Sequence, residues 1–294
     1  MNYVILGAGG TGACIGGFLA ASGKDVTFIA RGQHLQALKE NGLIIHSDKK
    51  GEMHLSNIKA MTTEDYKSKA DVIFVSVKGY SIEEVIPFLK KASDRHTIII
   101  PILNIYGIGR ALAEKLPGKN VLEGCIYIVA WVSAPGEITQ RSDIFRVVYG
   151  VRGATNLRAQ FDQIAADLLT AGIAPVVSQN IAEDTYRKFT FVSPMAAAGA
   201  YYDITAKDMQ REGRERDTFT ALVNEAVNVG KAMGLKISDE LLTKNLAIMD
   251  ALTPETTASM QKDLKKGGKS EIDGLVFEVV RMADKAGIAV PWYS

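Results

Sequence analysis

Residues 1–31 read MNYVILGAGGTGACIGGFLAASGKDVTFIAR. Residues 3–6 form a short apolar strand, Gly7-Ala8-Gly9-Gly10-Thr11-Gly12 fits G-x-G-x-x-G, residues 13–21 are a small-residue helix, and residues 26–30 are a second strand. Gly7 permits the tight turn, Gly9 lets backbone approach a pyrophosphate, and Gly12 lets the helix pack closely on the strand. Exposed amides at that helix N-terminus favour a bound phosphate. The glycine pattern alone is a weak signal, but here it stands in the strand–turn–helix context that the motif requires. The stretch predicts a dinucleotide-binding domain.

Arg31 closes the second strand, where an NAD-preferring site usually carries Asp or Glu for the ribose hydroxyls. The only acid nearby, Asp25, precedes that strand. A guanidinium is a planar, permanently charged fork suited to a 2′-phosphate. NADP(H) is therefore the expected cofactor, the alternative being that Arg31 is a solvated residue opening the next helix.

Working outward, 294 residues suffice for two domains, and 47% hydrophobic with 23% charged residues is ordinary for a globular protein. A net charge of +1, with acids and bases interspersed, suggests neither a nucleic-acid surface nor an anionic-membrane surface. The longest apolar-leaning run, residues 98–109, is too short to span a bilayer and is broken by Pro101 and Asn104. No cationic region precedes the first apolar residues, so no signal peptide is expected. Cys14 and Cys125 have neither a metal spacing nor a disulfide framework. These features point to the cytoplasm and to a small-molecule substrate; the oligomeric state stays open, a homodimer included.

Strand and helix patterns alternate as far as residue 179, which predicts a Rossmann-like, doubly wound α/β domain with a mainly parallel sheet. Strands are expected at 71–77, 97–101, 121–130, 146–150 and 175–178, with Gly136 in a turn. Helices are expected from Ser81, with a capping-box spacing at Ser81-Ile82-Glu83-Glu84, from the Asn104 turn to 116, and over 157–171. From Asn180 the periodicity is helical only. Helices are expected over 181–201, 212–233, 238–249, 254–265 and 271–286, with Thr253-Pro254 as cap and first position and Gly287 as a stop. The expected division is thus 1–179 and 180–294, an all-helical C-terminal domain following the nucleotide domain.

Such a pair of domains places substrate in a cleft outside the carboxyl ends of the strands. Lys78 and Asn104 stand just past strand ends, as do many polar residues without a role. Carbonyl reduction needs a cation or donor near the oxygen and a proton source. An ordinary lysine, titrating near about 10.4, is a charged donor at neutral pH. Lys188, two turns into the first helix of the second domain, has the right place; the Arg187-Lys188 pair also reads as a solvated helix face. Glu271 in Ser270-Glu271-Ile272-Asp273 fits either a site or an ordinary acidic helix start. The histidines, His34, His46, His54 and His96, show no metal-ligand spacing, so neither a metal nor a histidine proton donor is expected.

Taken together, Gly7 to Gly12, Arg31, the strand ending at Lys78, Asn104, Tyr186-Arg187-Lys188-Phe189, and Ser259-Met260-Gln261-Lys262-Asp263 before Glu271-Ile272-Asp273-Gly274 resemble the ketopantoate reductase family (2-dehydropantoate 2-reductase). The likeness covers nearly the whole chain. It implies NADPH-dependent reduction of ketopantoate to pantoate, a step toward coenzyme A. It implies Lys188 as the general acid that protonates the nascent alkoxide, with Glu271 holding the substrate hydroxyl and positioning the lysine. Ser259 would bind the substrate carboxylate, and Lys78 and Asn104 would lie at the nicotinamide and the reacting carbonyl.

The sequence departs from the family pattern at several places. Val192 and Ala196 stand one and two turns beyond Lys188, where members often carry asparagines; Thr256 replaces another, and the usual Asn-Gly pair is Asn104-Ile105. The chain ends at Ser294, where relatives usually continue through more helix. Replacing amides by apolar groups should change substrate preference, because hydrogen bonds to a substrate hydroxyl discriminate strongly. Two other readings follow: a paralogue that reduces another branched 2-oxo acid, and a non-catalytic NADP-binding sensor. The retained lysine, serine and glutamate speak against the sensor.

Overall fold

The first strand, β1 (Asn2–Leu6), is buried on both faces because alternate side chains enter different cores. Tyr3 and Ile5 join one cluster, Val4 and Leu6 another. The computed structural model describes residues 1–153 and 156–294. The chain forms two compact units, Met1–Leu103 with Gly107–Ile181, and Asn104–Tyr106 with Ala182–Ser294.

In the first unit, α1 (Gly10–Ala21), β2 (Asp25–Ile29), α2 (Gly32–Asn41), β3 (Leu43–Ser47), β4 (Gly51–Leu55), β5 (Lys59–Met61), β6 (Val72–Val75), α3 (Ile82–Ala92), β7 (Ile98–Pro101), α4 (Ile108–Lys115) and β8 (Asn120–Val121) follow β1. Six strands make a wholly parallel sheet in the order β5-β2-β1-β6-β7-β8. That order reverses at β1, the arrangement of the doubly wound nucleotide-binding sheet, with its switch point beside the glycine turn. Helix α3 begins after a 3₁₀ turn at Gly79–Ser81, and the Ser81 side chain makes no capping bond, so the expected capping box is not formed.

A second sheet of five strands accompanies the first, and the sequence reading did not separate it. It contains β3, β4, β9 (Glu123–Ala134), β10 (Glu137–Gly150) and β11 (Ala174–Val177). Strands β9 and β10 form a long antiparallel hairpin around Gly136, whose φ of 79° suits the turn. β10 runs parallel to both β3 and β11. Helix α1 lies between the sheets. A Cβ at Gly16 would strike the Phe28 ring and Ile5, and one at Gly17 would strike Ile45. The absence of side chains on that stripe brings the helix onto both sheets, and each large apolar side chain fully buried there contributes about 1.5–3 kcal/mol. Helix α5 (Arg158–Thr170) closes the unit through Asp167, which accepts from Tyr3 Oη at 2.6 Å, Lys24 Nζ at 2.7 Å and Gln163 Nε2 at 3.0 Å.

The second unit is helical: α6 (Ile181–Tyr202), α7 (Ala206–Met209), α8 (Arg214–Ala232), α9 (Leu241–Asp250), α10 (Ser259–Lys265) and α11 (Glu278–Ala286). Its core gathers Phe189, Phe219, Leu222, Met249, Met260 and Val279 among others. Tyr186 Oη donates to the Ala226 carbonyl at 2.7 Å and ties α6 to α8, while Asn245 Nδ2 donates to Thr190 and ties α9 to α6. The small-residue run on α6 permits close packing, since a Cβ at Gly199 would stand 3.0 Å from Gln261 Oε1.

Helices differ from the sequence expectation at several places: α7 has no counterpart in it, α9 starts at Leu241 rather than at 238, and two further boundaries move for tertiary reasons. Residues 254–258 are not helical: the Pro254 and Thr256 carbonyls accept from the Lys207 and Ala206 amides instead, satisfying the start of α7. Residues 271–286 are not one α-helix, because Asp273–Phe277 widens into a π turn before α11. Gly287, with φ of 71°, stops α11 as expected.

Candidate active site

The glycine turn of the first unit has the shape of a phosphate cradle. Gly7 adopts φ of +99°, and a Cβ there would come within 2.9 Å of the Val77 backbone nitrogen. At Gly12 a Cβ would overlap the Gly7 carbonyl and the Ser76 hydroxyl, which donates to that carbonyl at 2.8 Å. Gly9 is the N-cap of α1, no side chain caps the helix, and no acid stands in its first turn. Nothing lies within 4 Å of the place a Gly9 Cβ would take, so one side of the turn is open to a ligand's close approach. These features fit a dinucleotide pyrophosphate set against a helix N-terminus.

The other side of the turn is closed by a neighbour that the sequence did not announce. A Cβ at Gly10 would lie 2.6 Å from Trp131 Cα and 2.7 Å from the Ala130 carbonyl oxygen, so the β9 backbone abuts the first residue of α1. Gly10 and Thr11 are the variable positions of the fingerprint, and the register of a distant hairpin against them leaves no trace in local pattern. His34 likewise has no local signature of its place. Its Nδ1 accepts from the Gly136 amide at 3.1 Å, which leaves the proton on Nε2, a buried atom without a hydrogen-bond partner. Burial lowers its pKa, which favours the neutral ring beside the Gly136 turn.

Arg31 stands one residue past β2, after Ala30, as N-cap of α2, with its side chain 83% exposed and Nη1 3.7 Å from Glu84 Oε2. An exposed pair at that distance contributes little, so a phosphate can compete for the guanidinium. Lys78 follows β6 at the N-cap of the 3₁₀ turn, half-buried.

In the second unit the structure brings Asn104 and Lys188 together. Lys188 Nζ donates to Asn104 Oδ1 at 2.6 Å, although Asn104 reaches this unit from a strand end of the other. The neighbouring Tyr106 ring stands edge-on to Tyr186 with centroids 4.7 Å apart. Ile105 occupies the space over Gly274, where a Cβ would be 2.5 Å from Ile105 Cδ1. The bulkier residue after Asn104 is therefore matched by a residue without a side chain. Glu271, 5% exposed, precedes the π turn, and its carbonyl accepts from the Leu275 amide at 2.9 Å. Ser259 is exposed at the first position of α10. Val192 packs against the helical core, Ala196 is buried, and Thr256 is half-buried.

These arrangements can do two things chemically: hold a phosphate-bearing dinucleotide, and offer a half-buried amine oriented by an amide. A model described as "Ketopantoate reductase PanE/ApbA" matches residues 3–153, and its C-terminal counterpart matches residues 180–294. The chain belongs to the ketopantoate reductase family. It is an oxidoreductase acting on CH–OH groups with an NAD(P) cofactor. The uncharacterized oxidoreductase YkpB of Bacillus subtilis (strain 168) is 27% identical over 292 residues, covering 99% of this chain and 95% of its own. The 2-dehydropantoate 2-reductase of Halobacterium salinarum (strain ATCC 700922 / JCM 11081 / NRC-1) is 26% identical over 293 residues, covering 99% and 95%. The crystal structure of a PanE/ApbA family ketopantoate reductase from Ralstonia eutropha JMP134 shares the fold, with a TM-score of 0.90 at 24% identity and coverage of 100% and 95%.

Cys14 and Cys125 are both buried, and burial pushes the Cys14 thiol up to about 12. Among the described residues no group of three or more His, Cys, Asp or Glu could hold a metal, and no helix is long and apolar enough to cross a membrane.

Proposed function

We propose that this protein reduces ketopantoate to pantoate with NADPH, Lys188 being the proton donor. The observation that carries the reading is the 2.6 Å bond from Lys188 Nζ to Asn104 Oδ1, which holds the amine in a fixed place on a half-buried surface. NADPH, when bound, supplies the hydride that reaches the carbonyl carbon. Gly7, Ala8, Gly9, Gly10, Thr11 and Gly12 hold its pyrophosphate, Arg31 takes the 2′-phosphate, and Lys78 and Asn104 contribute at the nicotinamide end. Negative charge develops on the substrate oxygen as the carbonyl is reduced, and a preorganised cation there lowers the barrier. Lys188 then gives that oxygen its proton and regains one from solvent. Glu271 accepts from the substrate hydroxyl, and Ser259 donates to the substrate carboxylate.

A second reading has its own observation. Val192 and Ala196 extend from Lys188 along α6, one in the core packing and the other 1% exposed, so this face offers no side-chain donor or acceptor for a substrate hydroxyl. That favours a reductase of a more apolar branched 2-oxo acid on the same proton donor. NADPH oxidation measured with ketopantoate beside a panel of branched and unbranched 2-oxo acids ranks the two. The first reading expects the highest kcat/KM with ketopantoate; a better apolar acid replaces it with the second, and silence across the panel overturns both.

A further inference from the structure

We infer that the last residues of the chain form a positioning strap for Lys188 and Glu271, acting through Ser193; this rests on the proposed reductase reading. The strap starts at Glu225 on α8, a buried carboxylate whose Oε1 accepts from the Trp292 amide at 2.9 Å and whose Oε2 accepts from the Tyr293 amide at 3.3 Å. Held by its backbone, Tyr293 is 6% exposed, and its hydroxyl lies 2.7 Å from Ser193 Oγ. Ser193 Oγ donates in turn to the Leu275 carbonyl at 2.5 Å. A serine hydroxyl has one proton, so the tyrosine is the donor in the first bond, and the order runs Tyr293 to Ser193 to Leu275.

The last two members of this relay bear on the candidate chemistry. Ser193 lies on α6, five residues after Lys188. Leu275 lies in the π turn Asp273–Phe277, and its amide donates to the Glu271 carbonyl at 2.9 Å. A π turn displaces carbonyls from the regular i→i+4 ladder, and such turns recur at functional sites. Here the displaced geometry meets a side-chain donor. The circuit closes on the other side: Gly274, next to Leu275, receives Ile105, and Asn104 beside it receives the Lys188 amine. Lys188 and the segment carrying Glu271 are thus tied twice, once through Asn104-Ile105-Gly274 and once through Ser193 and Leu275. Three buried polar groups fully engaged with one another specify one arrangement.

Tyr293→Phe removes the relay's first proton and keeps the ring. With ketopantoate, or the best acid of the panel, kcat is expected to fall roughly tenfold while the Kd of NADPH stays unchanged. Ser193→Ala behaves alike. Lys188→Ala combined with Tyr293→Phe should lose clearly less than the two single losses together, since the tyrosine acts in part through the lysine. Hydrogen exchange at the Leu275 amide should quicken about tenfold in both single variants. Unchanged kcat with Leu275 still protected overturns the strap, as does a loss that adds fully to that of Lys188→Ala. A wild-type protein that oxidises NADPH with no 2-oxo acid overturns the reductase reading instead, whatever the exchange shows.

Discussion

Lys188 and Asn104 stand 84 residues apart in the chain and 2.6 Å apart at Nζ and Oδ1. The asparagine follows a strand of the nucleotide-binding unit yet groups by its contacts with the helical one. An amide oxygen accepts and cannot take the ammonium's charge away, so it orients the amine without neutralising it. A carboxylate in the same place would pair with the lysine and oppose proton donation.

Lys188→Ala is therefore expected to lower kcat by roughly a hundredfold or more, with the Kd of NADPH changed by less than about threefold. Asn104→Asp should also lower kcat, through an ion pair that retains the proton. Steady-state kinetics with a fluorescence titration of NADPH separate the two quantities. Equal losses in turnover and cofactor affinity would contradict the proton-donor role.

Arg31→Ala tests the cofactor. The guanidinium is exposed and its pair with Glu84 is long, so its removal costs the fold little. Loss of a charge-assisted phosphate contact should weaken NADPH by roughly ten- to a hundredfold and leave NADH untouched. A ratio of the two affinities that does not move would reassign the cofactor to NADH and return Arg31 to a solvated helix start.

The sequence made β1, the glycine turn and Arg31 readable because their physics is local: a run of apolar residues, a positive φ at Gly7, a cation at a strand end. Three strands of the second sheet are legible in part, at 121–130, 146–150 and 175–178, but β3, β4 and the separation into two sheets are not. Strands β3 and β4 are short and carry His46, Glu52 and His54 on an open face, which blurs their alternation. Helix α10 starts five residues later than its local pattern predicts because Pro254 reads as a first helical position, whereas tertiary bonds spend its carbonyl on α7. The π turn after Glu271 depends on Ile105 and Ser193, remote in sequence. At the candidate site, the residue types were legible and their partners were not.

Asp167 should set much of the acid stability of the first unit. Burial raises its pKa, but hydrogen bonds from Lys24, Tyr3 and Gln163 outweigh that and hold it below the usual carboxylate value. A depressed folded pKa gives stability that is present above the unfolded value near about 3.9 and is lost as pH falls through the folded one. Asp167→Asn should cost about 1.5–3 kcal/mol at pH 7. Urea melts at pH 7 and at pH 3 should show the variant's deficit shrinking at the lower value. A deficit equal at both would mean that packing, not charge, is what the substitution removes.

Gly9→Ala and Gly10→Ala, adjacent changes of one methyl each, should fail in different ways. Gly9 has φ of −72°, which any residue adopts, and open space where a Cβ would go. Its methyl therefore costs the empty fold almost nothing and blocks the approach of a pyrophosphate. Gly10→Ala drives a methyl to within 2.6 Å of Trp131 Cα and 2.7 Å of the Ala130 oxygen, backbone atoms that cannot turn aside. The hairpin or the helix must shift, at about 1–3 kcal/mol. Thermal melts without cofactor should show Gly9→Ala unchanged and Gly10→Ala lowered, whereas NADPH titration should show both weakened, Gly9→Ala by roughly tenfold or more. If Gly9→Ala bound NADPH normally, the pyrophosphate would not pass over that face of the turn, and the cradle would have to be rebuilt on other amides.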